Sequence, residues 1–154
     1  MLEDLINKLI KLGKSVDFIQ GATLDQIENF EKENKISLPI EYKQWLMFTN
    51  GGELFIPGTT MFGIYNDQSQ TYYGQLIYKK GIDSKYKMLS IPDNLLVIGR
   101  MNFGDLICID ITGNDFVLQW DHENAEEYNR WISFSEWLSE SIDDYLMYLD
   151  NSHE

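Results

Sequence analysis

The chain has a single cysteine, Cys108, so no internal disulfide can form and no Cys-based metal site can be assembled. It has only two histidines, His122 and His153, the second in the terminal tail. Cys108 has no histidine in a recognisable nucleophile context. There is also no Gly-x-Ser-x-Gly elbow, no Walker loop and no dinucleotide fingerprint. Cys108 therefore reads as a small half-buried residue. No apolar run approaches the roughly 20 residues that a membrane span needs. The opening MLEDLINKLIKLGK alternates charges with leucines and lacks the apolar core and cleavage site of a signal peptide, so a cytoplasmic protein is expected. Low-complexity tracts and internal repeats are missing as well.

Basic residues are the other shortage, and it is local. The net charge is -13. Residues 1–52 carry 6 Lys/Arg against 8 Asp/Glu, residues 53–104 carry 5 against 4, and residues 105–154 carry 1 against 13. Direct nucleic-acid binding needs clustered cations to neutralise phosphates, and anionic membranes need the same, so the last third argues against both partners. A basic protein partner is its natural complement; the competing reading is that acidic surfaces simply keep proteins soluble.

A chain of 154 residues fits one domain, 1–154, able to bury about two thirds of its unfolded surface. Its organising stretch is Leu38 to Gly52. Pro39 suits a helix start, because its φ is already near helical and its missing amide would be unpaired there anyway. Tyr42, Trp45, Leu46 and Thr49 share one face at three- and four-residue spacing. Asn50, Gly51 and Gly52 tolerate the left-handed backbone that closes a helix, and Leu54 to Ile56 reads as a strand.

Upstream, Leu2, Leu5, Ile6, Leu9, Ile10 and Leu12 predict an amphipathic helix ending near Gly13, followed by an extended piece, Val16 to Ile19. Thr23 with Gln26 is a capping box opening a second helix, with Leu24, Ile27 and Phe30 as its buried stripe and Glu28, Glu31, Lys32 and Glu33 as a solvated face. Downstream, Pro57-Gly58 is a turn and Met61 to Tyr65 a second strand or edge segment. Tyr72, Tyr73, Leu76, Ile77 and Lys79-Lys80 favour a helix ending at Gly81, with a strand over Tyr72 to Tyr78 as the alternative. These tyrosines would be a partner-facing patch if exposed, though core packing is the commoner fate.

Leu95 to Ile98 is a strand, and Asn102-Phe103-Gly104 connects it to Asp105 to Ile111. There Ile107, Ile109 and Ile111 alternate with Leu106, Cys108 and Asp110. Thr112 to Asp115 is a hairpin turn before a strand from Phe116 to Trp120. Ser133 with Glu136 caps the last helix, whose stripe is Phe134, Trp137, Leu138, Ser141, Ile142, Tyr145, Leu146 and Leu149.

Three of these pieces resemble one family. Leu38-Pro39, Tyr42, Trp45-Leu46 and Asn50-Gly51-Gly52 are similar to the N-terminal signature of the SUKH superfamily. Ile98-Gly99, Gly104-Asp105-Leu106, Val117 and Trp120-Asp121-His122-Glu123 resemble its second signature, and Ser-Phe-x-x-Trp-Leu from Ser133 resembles its closing pattern. The superfamily includes yeast cell-wall-assembly regulators and many bacterial toxin-immunity proteins. The resemblance implies an α+β fold and a non-catalytic protein that binds and neutralises a cognate toxin, many such toxins being nucleases. The alternative it leaves open is a regulatory adaptor module.

The residues support that class over an enzyme. Asp105, Asp110, Asp121, His122 and Glu123 are the sharpest candidates for a hard metal ion or an acid/base pair. Asp105 and Asp110, however, are an odd number apart and so lie on opposite faces of one regular strand. Asp105 after Gly104 suits a brace for a tight turn. No cofactor and no metal are expected. The fold expected is α+β: a twisted antiparallel sheet of about four to six strands with helices packed on it. The expected partner surface is acidic: Asp115, Asp121, Glu123, Glu126, Glu127, Glu140, Asp143 and Asp144, with Trp120, Tyr128 and Trp131 flanking an acidic loop as anchors. For the three aromatics, core packing is the competing expectation.

Overall fold

The computed structural model describes residues 1–64, the backbone of 77–78, and residues 89–152. In chain order the elements are α1 (Leu2–Ile10), β1 (Val16–Phe18), α2 (Leu24–Asn34), α3 (Ile40–Phe48), β2 (Gly52–Leu54), β3 (Thr59–Met61), β4 (Ile77–Tyr78), β5 (Leu95–Met101), β6 (Leu106–Asp110), β7 (Val117–Asp121), β8 (Glu126–Trp131) and α4 (Phe134–Ser152). The strands form one antiparallel sheet in the order β1-β2-β3-β5-β6-β7-β8, with β4 paired onto β5. The α+β expectation holds, with more strands than the four to six expected.

The helices form where local chemistry and burial agree. Leu2, Leu5 and Leu9 line the buried face of α1. In α2 both arms of the capping box are made: Gln26 N donates to Thr23 Oγ1 at 3.1 Å, and Thr23 N donates to Gln26 Oε1 at 2.9 Å. Its buried stripe is narrower than expected, since Ile27 is buried while Leu24 is exposed and Phe30 half-buried. Glu31, expected on a solvated face, instead accepts from Leu38 N at 2.7 Å and pairs with Lys43 Nζ at 3.2 Å, tying α2 to α3. Pro39 is the N-cap of α3 rather than its first helical residue.

The aromatic face of α3 meets the start of α4. Phe134 lies 5.3 Å from Tyr42, 5.6 Å from Trp45 and 5.5 Å from Trp137, ring centre to ring centre. Such edge and tilted pairs add to the area they bury. Glu41 accepts from the hydroxyl and the amide of Ser135 beside them. The first and last sequence signatures are thus one packed unit, although 94 positions separate Glu41 from Ser135. In the cap of α4, Glu136 N donates to Ser133 Oγ at 3.1 Å, but the Glu136 carboxylate reaches back to Ile132 N, one residue beyond the standard box.

Several expectations are corrected. The strand after α3 stops at Leu54, because Phe55 takes φ +58 and turns the chain; the Ile56–Pro57 peptide that follows is cis. The left-handed backbone comes at Gly51 and Gly52, not at the helix cap, where Thr49 is extended. Ile77–Tyr78 pairs with Leu96 and Val97 as a strand, so the helix reading fails there; Tyr72, Tyr73, Leu76, Lys79, Lys80 and Gly81 lie outside the described residues. The acidic loop after Trp120 contains strand β8, hydrogen-bonded to β7 through Trp131 opposite Val117 and Asp121 opposite Glu126.

Candidate partner-binding surface

Four of the 13 acids of the last third, Asp121, Glu123, Glu126 and Glu127, lie on the β7–β8 hairpin. β8 ends the sheet path, and its residues from Glu126 to Arg130 are exposed. A register shift between Gln119 and Trp120 leaves Tyr128 as the extra residue of a bulge, with 69 % of its surface exposed. The hairpin turn is built by Asp121, whose Oδ1 accepts from Glu123 N at 2.8 Å and Asn124 N at 3.2 Å and whose Oδ2 accepts from Asn124 Nδ2 at 2.9 Å. The Asn124 side-chain bond, then the backbone bonds, hold Asp121 below the usual carboxylate range, so the turn keeps its negative charge. Arg130, the one Lys or Arg after residue 104, is spent locally: it pairs with Glu127 and lies 4.0 Å over the Phe116 ring. Asp121, Glu123, Glu126 and Glu127 share this edge and turn, where the other basic group is His122, raised above its ordinary value chiefly by its hydrogen bond to Asp105 and 4.0 Å from Glu123.

Helix α4 extends this surface. Trp131 Nε1 donates to Glu140, which joins β8 to α4, and Asp144 follows Glu140 one turn on, with Asp143 beside it. All three acids are exposed. Asp115 is separate, exposed in the Thr112–Asp115 turn at the other end of β7. Trp120 is not a surface anchor: it is 7 % exposed and its indole donates to Leu89 O at 2.7 Å. Of the three aromatics expected to flank the acidic segment, Tyr128 is open to solvent and Trp131 half-buried.

The candidate acid/base set divides. Asp105, Asp121 and His122 come within 4.8 Å of one another through their potential ligand atoms, which the odd spacing of Asp105 and Asp110 did not anticipate. Each carboxylate already has protein donors. Asp105 Oδ1 faces His122 Nδ1 at 2.6 Å and accepts from His122 N at 3.1 Å, while Oδ2 accepts from Gln119 Nε2 at 2.7 Å. Asp105 thus braces the neighbouring strand end rather than its own turn. Asp110 stands at the other end of β6, where it accepts from Thr112 N and Oγ1, Asn114 N, Asp115 N and Asn94 Nδ2, fixing the second turn. Burial pushes the Cys108 thiol well up from its ordinary value, so the cysteine stays protonated and unreactive. No described helix is long and apolar enough to cross a membrane.

Comparison with known proteins adds two findings. Residues 21–140 match the model of the SMI1 / KNR4 family (SUKH-1). A crystal structure of a protein from Pseudomonas syringae pv. tomato superposes with a TM-score of 0.61 at 20% sequence identity, covering 88% of this chain and 93% of that one, which is a likeness of fold. No curated protein sequence matches the chain.

Proposed function

The chain belongs to the SMI1 / KNR4 family (SUKH-1), and from that membership we propose that it is a non-catalytic immunity protein that binds a basic toxin domain and neutralises it by occlusion. The observation that carries the reading is the exposed edge strand β8 and its leading turn, where Glu123, Glu126 and Glu127 are exposed and the strand's one arginine, Arg130, is paired to Glu127. A nuclease holds its substrate phosphates in a basic cleft, and a row of carboxylates on a rigid hairpin can occupy such a cleft in their place. Complementary fields of this kind raise association rates and penalise wrong partners more than they add affinity. Tightness then comes from what the rim surrounds, here Tyr128 and the Trp131 edge.

The test is the affinity of this protein for the C-terminal domain of the polypeptide encoded by the adjacent upstream gene, measured at low and high salt. A dissociation constant near nanomolar, about -12 kcal/mol, with an association rate that falls as salt rises, is the expected result. Replacing Glu126 and Glu127 by Gln should slow association several-fold and leave folding unchanged. Tight binding with no salt dependence removes the acidic mechanism. No binding to any neighbouring product favours the adaptor reading over immunity.

A further inference from the structure

Helix α4 also faces the Phe55–Thr59 turn, with Asp144 shared between this side and its acidic one. A groove of about 650 Å³ opens between them, lined by Phe55, Ile56, Trp137, Asp144, Tyr145 and Tyr148, with Met101 and Asn102 also in its wall. Its aromatic rings are ordered. Phe55 and Tyr145 are 5.0 Å apart, and Tyr145 and Tyr148 lie nearly parallel at 6.2 Å with 28° between their planes. Tyr148 nevertheless leaves 64 % of its surface in solvent.

The polar groups of the groove are mostly spent inside the fold. Tyr145 Oη donates to Ser15 Oγ at 2.7 Å, Ser141 Oγ to Trp137 O at 2.8 Å, and Asn102 Nδ2 to Pro57 O at 3.3 Å. Asp144 and Tyr148, one helical turn apart, both line the groove and both are exposed, and no Lys, Arg or His lines it among the described residues. Aromatic faces carry negative charge density, so rings and carboxylate together select a cation with a flat apolar body. Guanidinium meets both demands, because its plane stacks on a ring while its edge pairs with a carboxylate; the ammonium of lysine is compact and more strongly hydrated.

We propose that this groove receives an arginine side chain of the protein partner, with the guanidinium laid on Tyr148 and paired to Asp144. The inference rests on the proposed function in taking that partner to be basic, and it puts the specific anchor on α4 while β8 supplies the steering field. Glu140 stands one turn before Asp144, so the two surfaces are continuous along the helix.

The experiment is a titration of nitrogen-15-labelled protein with acetyl-arginine amide, and with acetyl-citrulline amide as the uncharged isostere. Saturable shifts confined to residues 55–59 and 141–148 with arginine, absent with citrulline, are expected. Tyr148→Ala and Asp144→Asn should each weaken them about two- to fivefold. Both side chains are exposed, and the rest of each variant's amide spectrum reports that the fold is kept. Equal responses to the two amides, shifts spread over the acidic surface, indifference to Tyr148→Ala, or no saturable response overturns the proposal. The same variants separate it from the immunity reading. A toxin domain bound equally well by wild type and by both variants overturns the groove alone, whereas arginine capture without toxin binding overturns immunity alone.

Discussion

Asn50 grips Ile64 by both edges of its amide: Nδ2 donates to Ile64 O at 2.9 Å and Oδ1 accepts from Ile64 N at 2.8 Å, with the side chain 1 % exposed. An asparagine 14 positions back thus acts for Ile64 as a neighbouring strand would, supplying a donor and an acceptor at once. The loop before β2 is tied to the chain leaving β3 by this side chain, next to the backbone pairing of Gly52 with Met61.

Asn50→Ala is therefore expected to leave two buried backbone groups unpaired and to cost about 3 kcal/mol in urea unfolding. Asn50→Asp should cost at least as much, because a carboxylate can accept from Ile64 N but cannot donate to Ile64 O. An aspartate variant as stable as the wild type would show that the clamp does not matter.

The Asp105–His122 pair sets a pH dependence. The hydrogen bond to Asp105 raises His122 above its ordinary 6.5. Burial works to raise Asp105 above 3.8, but the hydrogen bonds from His122 and Gln119 outweigh it and leave the carboxyl lowered. A raised imidazole contributes stability that is complete below about pH 6.5 and is lost as pH climbs through the folded value; a lowered carboxyl contributes above about pH 3.8 and loses it as pH falls through its folded value. Urea midpoints are expected to be highest between these limits and to decline toward pH 8. His122→Ala should flatten the alkaline decline, and an identical decline in the variant would exclude the pair as its source.

Gly104 is packed beneath the same ring. At φ +110 it adopts a backbone that residues with a Cβ avoid, and an added Cβ would lie 2.9 Å from His122 Nε2 and 3.0 Å from Cδ2. Gly104→Ala should cost about 2 kcal/mol from backbone strain and contact together. Removing the ring with His122→Ala relieves the contact and not the φ. A double-mutant cycle should then return a coupling of roughly 1 kcal/mol, whereas strict additivity would mean that the ring does not press on Gly104.

Tyr42 and Trp45 pack the centre of the core with a polar atom each, Tyr42 Oη and Trp45 Nε1, that finds no partner among the described residues. Burial raises the Tyr42 pKa well above its ordinary value, so the phenol stays neutral. Tyr42→Phe should leave thermal stability unchanged or raise it by up to about 1 kcal/mol, while Tyr42→Ala should lose about 4 kcal/mol. A phenylalanine variant destabilised as much as the alanine one would mean that the hydroxyl is bonded.

Where burial follows a helical period, the sequence carried the answer. Tyr42, Trp45 and Leu46 on α3, Leu2, Leu5 and Leu9 on α1, and Phe134, Trp137, Leu138 and Ile142 on α4 could be read directly, because one helix face must exclude water at three- and four-residue spacing whatever it packs against. The capping box at Thr23 is equally local, since two residues three positions apart, Thr23 and Gln26, contain all its donors and acceptors. The hairpin turn before β7 and the acidity of the last third are likewise properties of consecutive residues.

Long-range pairing decided the rest. β8 has no apolar alternation to announce it, and Glu126 to Trp131 is a strand because β7 presents a free row of backbone groups. Trp120 and Trp131 are alike as residues, yet one donates into the interior at Leu89 and the other turns outward to Glu140. Asp105 and His122 are 17 positions apart and meet only because β6 and β7 run antiparallel in that register. Neighbours along the chain settle α1 to α4, the Thr23 cap, the hairpin turn before β7, the resemblance of the signatures to the family and the sign of the charge, because each depends on residues close in sequence. Which acids share an edge, which tryptophan is hidden and which exposed aromatic lines a groove with Asp144 follow from the packing, because they depend on surfaces that the chain brings together only when it folds.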